Sequence, residues 1–278
     1  MLVTSAEIVH PAAAADRGAG AFNVIQVELA EALSRGASAV GAPVILQISE
    51  NAVKYHGALA PIGLATINIA ENSDQPVAVH LDHAESVPLI HEAVALGFTS
   101  VMYDGSKLDF ADNVATTREV VQFCHDHGVS VEAEIGEVGG KDGVHAPGVK
   151  TDPQDAAKFA EDTGVDALAV AVGSSHAMTT RTAELDFDRV AAIREAVSVP
   201  LVLHGSSGVA DENLTRAIEA GMTKVNISTH LNHAFTDTVR EVLAAHPEMV
   251  DTRKYLGPAR DAVQAEVSRL LGVLNAIP

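Results

Sequence analysis

One pattern repeats along most of the chain: a short run of aliphatic, often β-branched residues, then a longer stretch with helical spacing. The runs fall at 20–24 (GAFNV), 43–48 (PVILQI), 77–82 (VAVHLD), 99–103 (TSVMY), 129–134 (VSVEAE), 166–172 (DALAVAV), 199–204 (VPLVLH) and 223–227 (TKVNI). Helical stretches separate them at 26–40, 86–96, 109–127, 153–163, 187–197 and 211–220. Gly97, Gly128, Gly164, Pro200 and Gly221 punctuate the joints between helix and strand. The runs are largely apolar rather than strictly alternating, as strands covered on both faces are. Eight strand signals, each followed by helix, predict an α/β fold of the closed (β/α)8 barrel type. An open doubly wound sheet is the alternative, but no GxGxxG follows the first strand.

The length of 278 residues suits one such barrel, and no Pro/Ser linker divides the chain, so 1–278 reads as a single domain. The helical pattern from 229 to 278 exceeds one barrel unit and is expected to cap the barrel or build a subunit interface. The glycine-rich segment 136–151 (GEVGGKDGVHAPGVKT) has no periodicity and reads as a long loop after the fifth strand, a common place for a lid.

A formal net charge of −19 argues against nucleic acid and anionic membranes as partners. A phosphorylated ligand would then need a locally positive site. The single cysteine, Cys124, excludes an internal disulfide and suits a cytoplasmic protein; its place in a helical stretch predicts a buried small hydrophobe. No secretory signal pattern or apolar run of membrane-spanning length is present. Aromatic residues make up only 4%, too few for a base-stacking platform.

In a barrel of this type, polar residues at the carboxyl ends of the strands carry the chemistry. Here those ends hold Asp82-His83, Asp104, Glu134, His176, His204 and Asn226. Three histidines at one rim suit zinc, since three imidazoles leave a coordination position open. Asp82 either accepts a substrate proton or caps the next helix. Asp82 and His83 are neighbours, so both can face inward only if the strand ends there. Asp104 and Glu134 either orient the histidines, hold a second cation or lie solvated at the rim. The turns after the seventh and eighth strands, with Gly205, Ser207, Asn226 and Thr229, suit a phosphate held by backbone N–H groups. The sixth strand carries no lysine for Schiff-base chemistry, and Lys224 is expected at the entering end of the eighth strand, away from the chemistry.

Taken in order, these segments resemble the class II, zinc-dependent fructose- and tagatose-bisphosphate aldolases. The likeness runs through AFNV (21–24), ILQISENAVKYHG (45–57), HLDH (80–83), SVMYDGS (100–106), EAEIGEVGG (132–140), GSSH (173–176), LHGSSG (203–208), KVNIST (224–229) and DTRKYLGPARDAV (251–263). The resemblance implies reversible C3–C4 cleavage of a phosphorylated ketose to dihydroxyacetone phosphate and an aldehyde. It implies one zinc on His83, His176 and His204, with Asp104 and Glu134 at a second divalent position or in the ligand shell. It further implies proton transfer by Asp82, Asn23 and Ser49 near the substrate, a sodium or potassium ion beside the phosphate, and a homodimer or homotetramer.

The chain departs from the family pattern around the substrate rather than around zinc. The loop acid is Asp142 in GGKDG, where the family has Glu. Ala177 stands where the family has Gly, and Ser228 where it has Asp. Met178-Thr179-Thr180-Arg181 replaces a Tyr-Lys. Arg253 and Arg260 are both candidates for the second phosphate. The alternatives kept open are the same chemistry on another phosphorylated keto compound, such as a deoxy-keto-gluconate phosphate, a zinc hydrolase on the same fold, and a non-catalytic barrel.

Overall fold

The computed structural model describes residues 1–136, 150–176 and 178–275. A first helix, α1 (Ser5–Ala14), precedes the barrel. Eight parallel strands then close on themselves in chain order: β1 (Ala19–Asn23), β2 (Val44–Ser49), β3 (Val77–Ala84), β4 (Ser100–Tyr103), β5 (Ser130–Glu134), β6 (Ala167–Ala169), β7 (Leu201–Leu203) and β8 (Met222–Ile227). β1 is followed by α2 (Val27–Val40), and β2 by α3 (Glu50–His56) and α4 (Ala60–Glu71). α5 (Val87–Leu96), α6 (Phe110–Asp126), α7 (Pro153–Thr163), α8 (Phe187–Ala196) and α9 (Asp211–Glu219) follow β3 to β7 in turn. α10 (Thr229–Ala245) and α11 (Arg253–Asn275) follow β8. The barrel expected from the strand pattern is the fold observed.

Local chemistry sets the helix ends. The side chains of Ser86, Asp109, Asp152 and Asp186 each accept a backbone N–H from the first turn of α5, α6, α7 and α8. Gly41, Gly57, Gly97 and Gly164 close α2, α3, α5 and α7 in the left-handed conformation. α1, α3 and α4 lie outside the expected helical stretches. α1 begins with a capping box between Thr4 and Glu7.

The main core lies between the strands and the helical ring, where Leu33, Leu46, Leu81, Phe98, Phe159 and Val190 are fully or almost fully buried. Cys124 belongs to this layer, as expected, and burial pushes its thiol up to about 12. α11 packs against α2 and α10, and its buried residues include Val263, Val267, Leu270 and Leu274. The close approach needs Gly36: a Cβ there would lie 2.9 Å from the Gln264 carbonyl oxygen and from Val267. Among the described residues, no helix is long and apolar enough to cross a membrane.

Inside the barrel the packing differs. α1 covers the amino-terminal mouth, with Ile8 and Val9 on Ala19, Ala21, Ile45 and Ala78. The Ser5 Oγ lies 2.7 Å from that of Ser100 and 3.2 Å from that of Ser130. Higher up, Ala167 and Ala169 of β6 leave room for long polar side chains on the other strands. His80, Glu132 and Lys224 fill that space and are 0–2% exposed.

Candidate active site

The carboxyl ends of the strands surround a cavity of about 200 Å³. Its lining joins Asn23 of β1, Gln47 and Ser49 of β2, and Asp82 and His83 of β3 to His176 and the turns after β7 and β8. Those turns contribute Gly205, Ser207, Asn226, Ser228 and Thr229. All of these except Gln47 are site residues expected from the sequence.

Asp82 and His83 both line the cavity although β3 continues to Ala84. The strand does not simply end there, so the condition expected for both to face inward is not what is found. Its pairing with β4 slips instead: Leu81 faces Val101 and Ala84 faces Tyr103, so β3 carries one residue more than its partner. His83 takes up the slack with φ +50, a left-handed conformation rare outside glycine. Bulge and strained residue together bring two neighbours to one cavity.

The His83 Nδ1 lies 2.7 Å from the Asp104 Oδ2. The other Asp104 oxygen accepts from the Ser106 hydroxyl at 2.6 Å and the Ser106 N–H at 3.2 Å. His204 is fully buried between two carboxylates, with Nδ1 2.9 Å from Glu134 and Nε2 3.0 Å from Glu132. The ring centroid of His83 is 5.0 Å from that of His176 and 4.6 Å from that of His204. His83, Glu134, His176 and His204 each offer a ligand atom within 4.8 Å of the others. Ligand atoms on one tetrahedral zinc lie roughly 3.4 Å apart, so small side-chain movements would gather this set.

The electrostatics suit a cation. Burial opposes a charge on His204, yet Glu132 and Glu134 outweigh it and push the imidazole up to about 9. Burial likewise opposes ionisation of Asp82, but the positive groups around it, His83 first and Lys224 next, hold its carboxyl below the usual range. Asp82 Oδ2 accepts from the Asn23 amide at 3.3 Å, and Asn23 in turn accepts from Gln47 at 2.8 Å. The buried Asp82 Oδ1, Gln47 Oε1 and Asn226 Oδ1 find no hydrogen-bond donor among the described residues. Three acceptors left open around one cavity fit a ligand that brings protons or positive charge.

The turns after β7 and β8 complete the lining. The Ser207 Oγ accepts from the N–H of Ser228 at 3.1 Å and of His230 at 3.3 Å, tying the β7 and β8 turns together. Gly205 has φ +67, and a Cβ there would meet the Ser175 backbone at 2.6 Å. The cavity also lies at the N-terminus of the 17-residue α10.

Three expectations fall outside the described residues: the loop at 136–151, of which 137–149 are not described, Asp142 and Ala177. Arg253 and Arg260 do not line the cavity: Arg253 is paired with Asp251, and Arg260 with Glu31 on α2 at 2.9 Å. The expectation for Lys224 is corrected. It points into the barrel, fully buried, with Nζ 2.7 Å from Glu132. Glu132, Lys224 and His80 were missed, although alternation puts each two residues before a rim residue on the same face: Glu134, Asn226 and Asp82.

The sequence profile described as "Fructose-bisphosphate aldolase class-II" matches residues 3–277. The chain belongs to the class-II fructose-bisphosphate aldolase family. This aldolase, a carbon–carbon lyase, is 40% identical to the fructose-bisphosphate aldolase of Geobacillus stearothermophilus, over 96% of this chain and 94% of that one. It is also 40% identical to that of Thermus caldophilus, over 100% and 99%. Its fold is similar to the crystal structure of the YdjI aldolase from Escherichia coli K12. That comparison gives a TM-score of 0.87 and 32% identity, covering 99% of this chain and 97% of the other. Zinc dependence is a property of the family, and the His/Glu cluster is where this aldolase can meet it.

Proposed function

We propose that this aldolase cleaves and forms the C3–C4 bond of a phosphorylated ketose, with dihydroxyacetone phosphate as one product and zinc on His83, His176 and His204. The observation that carries the proposal is the convergence of those three rings, from β3 and the turns after β6 and β7, beside the Asp82 carboxylate. A bound zinc supplies Lewis acidity, polarising the ketone and stabilising the negative charge left when the bond breaks.

The rest is the work of the chain. Asp82, ionised and oriented by Asn23, accepts the proton of the C4 hydroxyl as the aldehyde departs. Asp104 fixes the His83 ring through Nδ1 and leaves Nε2 for the metal. Gly205, Ser207 and the 226–229 turn receive one phosphate, close to the α10 N-terminus. Asn23 and Ser49 contact the sugar. Asp142 is the proposed acid for C3, shorter than the Glu in the resembling enzymes.

One feature of the lining favours a second reading. Neither Arg nor Lys is among the described residues that line the cavity. A keto compound whose aldehyde half lacks a phosphate would place no second dianion there.

The test is dihydroxyacetone phosphate release from a panel of ketose bisphosphates and keto monophosphates, before and after chelation and zinc return. Activity lost on chelation and restored by zinc is expected. Full turnover by metal-free protein would defeat the proposal, and preference for a monophosphate would favour the second reading.

A further inference from the structure

The barrel interior below the cavity holds an ion pair that the proposed reaction does not use. Lys224 of β8 and Glu132 of β5 are buried on opposite walls, 2.7 Å apart from Nζ to Oε2. Such a pair is costly to bury and is weak evidence for stability by itself. Its geometry gives it another use. The second oxygen of Glu132 lies 3.0 Å from the His204 Nε2, while the Nδ1 edge of the same ring faces Glu134 in the ligand cluster.

One carboxylate therefore receives two donors, an ammonium from below and an imidazole N–H from above. The ammonium limits the rotation of Glu132, and Glu132 limits the rotation and tautomer of His204. A histidine that ligates through one nitrogen is commonly fixed by a carboxylate on the other. We infer that Lys224 and Glu132 form a positioning pair that holds the His204 ring with Nδ1 presented to the metal. The inference rests on the reading of His204 as a metal ligand.

Two double variants separate positioning from mere packing. Glu132→Leu with Lys224→Met removes the ion pair and leaves nothing opposite Nε2 to accept its proton. Glu132→Gln with Lys224→Met removes the same charges but keeps one acceptor oxygen there. Zinc dissociation constants are measured by chelator competition, with circular dichroism and melting of the metal-free proteins to verify folding. The Leu/Met variant is expected to bind zinc about 10–100-fold more weakly than wild type. The Gln/Met variant is expected to recover most of that loss. The d–d absorption of cobalt-substituted protein should change in the first and return in the second. Equal zinc affinity in two folded double variants would overturn the positioning role while leaving the metal centre intact. Zinc affinity unaffected by His204→Ala would instead overturn the metal centre, and the positioning role with it.

Discussion

The Asp104 carboxylate lies 2.7 Å from the His83 Nδ1, and its other oxygen is fixed by Ser106. The ring is thus held from behind before any ligand arrives. Asp104→Ala should weaken zinc binding by about 10–100-fold, measured by chelator competition. Asp104→Asn, which keeps an acceptor beside Nδ1, should lose less. An Ala variant with wild-type affinity would show that His83 does not depend on this contact.

Asp82 has a separate task from its neighbour. Asp82→Ala should lower kcat by about 10²–10⁴-fold, the usual worth of a placed general base. Zinc content by elemental analysis should stay near that of wild type. Unchanged turnover would remove Asp82 from the proton-transfer step.

In metal-free protein, His204 carries a proton at neutral pH, because Glu132 and Glu134 raise it to about 9. A metal must displace that proton. Zinc titration at pH 7 should therefore release a proton from this ring, seen calorimetrically as a binding heat that varies with buffer ionisation enthalpy. Affinity should climb with pH as far as about 9 from this group alone.

His80 behaves in the opposite sense. Burial pushes it from 6.5 down to about 3, with Lys224 adding to the effect. The folded ring stays neutral where the unfolded one takes up a proton. Stability from this group is full above pH 6.5 and is lost as pH falls through the window to about 3. The slope is about 1.4 kcal/mol per pH unit where one extra proton binds the unfolded chain. Denaturant titrations between pH 7 and 5 should show a shallower slope in His80→Asn.

Much of this was legible because barrel chemistry gathers at strand ends, and strand ends are visible in sequence. Asp82, His83, His204 and Asn226 each close a β-branched or aliphatic run. Glu132 and Lys224 were harder to see because a barrel interior is expected to be apolar. Besides strand alternation, the small side chains Ala167 and Ala169 on β6, next to β5, are the sequence's trace of the space they fill. Arg253 and Arg260 show a different limit. Helical spacing tells which residues share a face, but not which element that face meets, and Arg260 meets Glu31.

The slip of β3 against β4 has a consequence for how such a centre can change. A pleated strand sorts its side chains by odd and even position, whatever their identity. Here a surplus position suspends that parity, so acid and ligand are adjacent letters serving one chamber. Chain length at this point is therefore as much a part of the chemistry as the carboxylate and the imidazole. Losing one residue would turn one of the two outward even with every functional letter still in place.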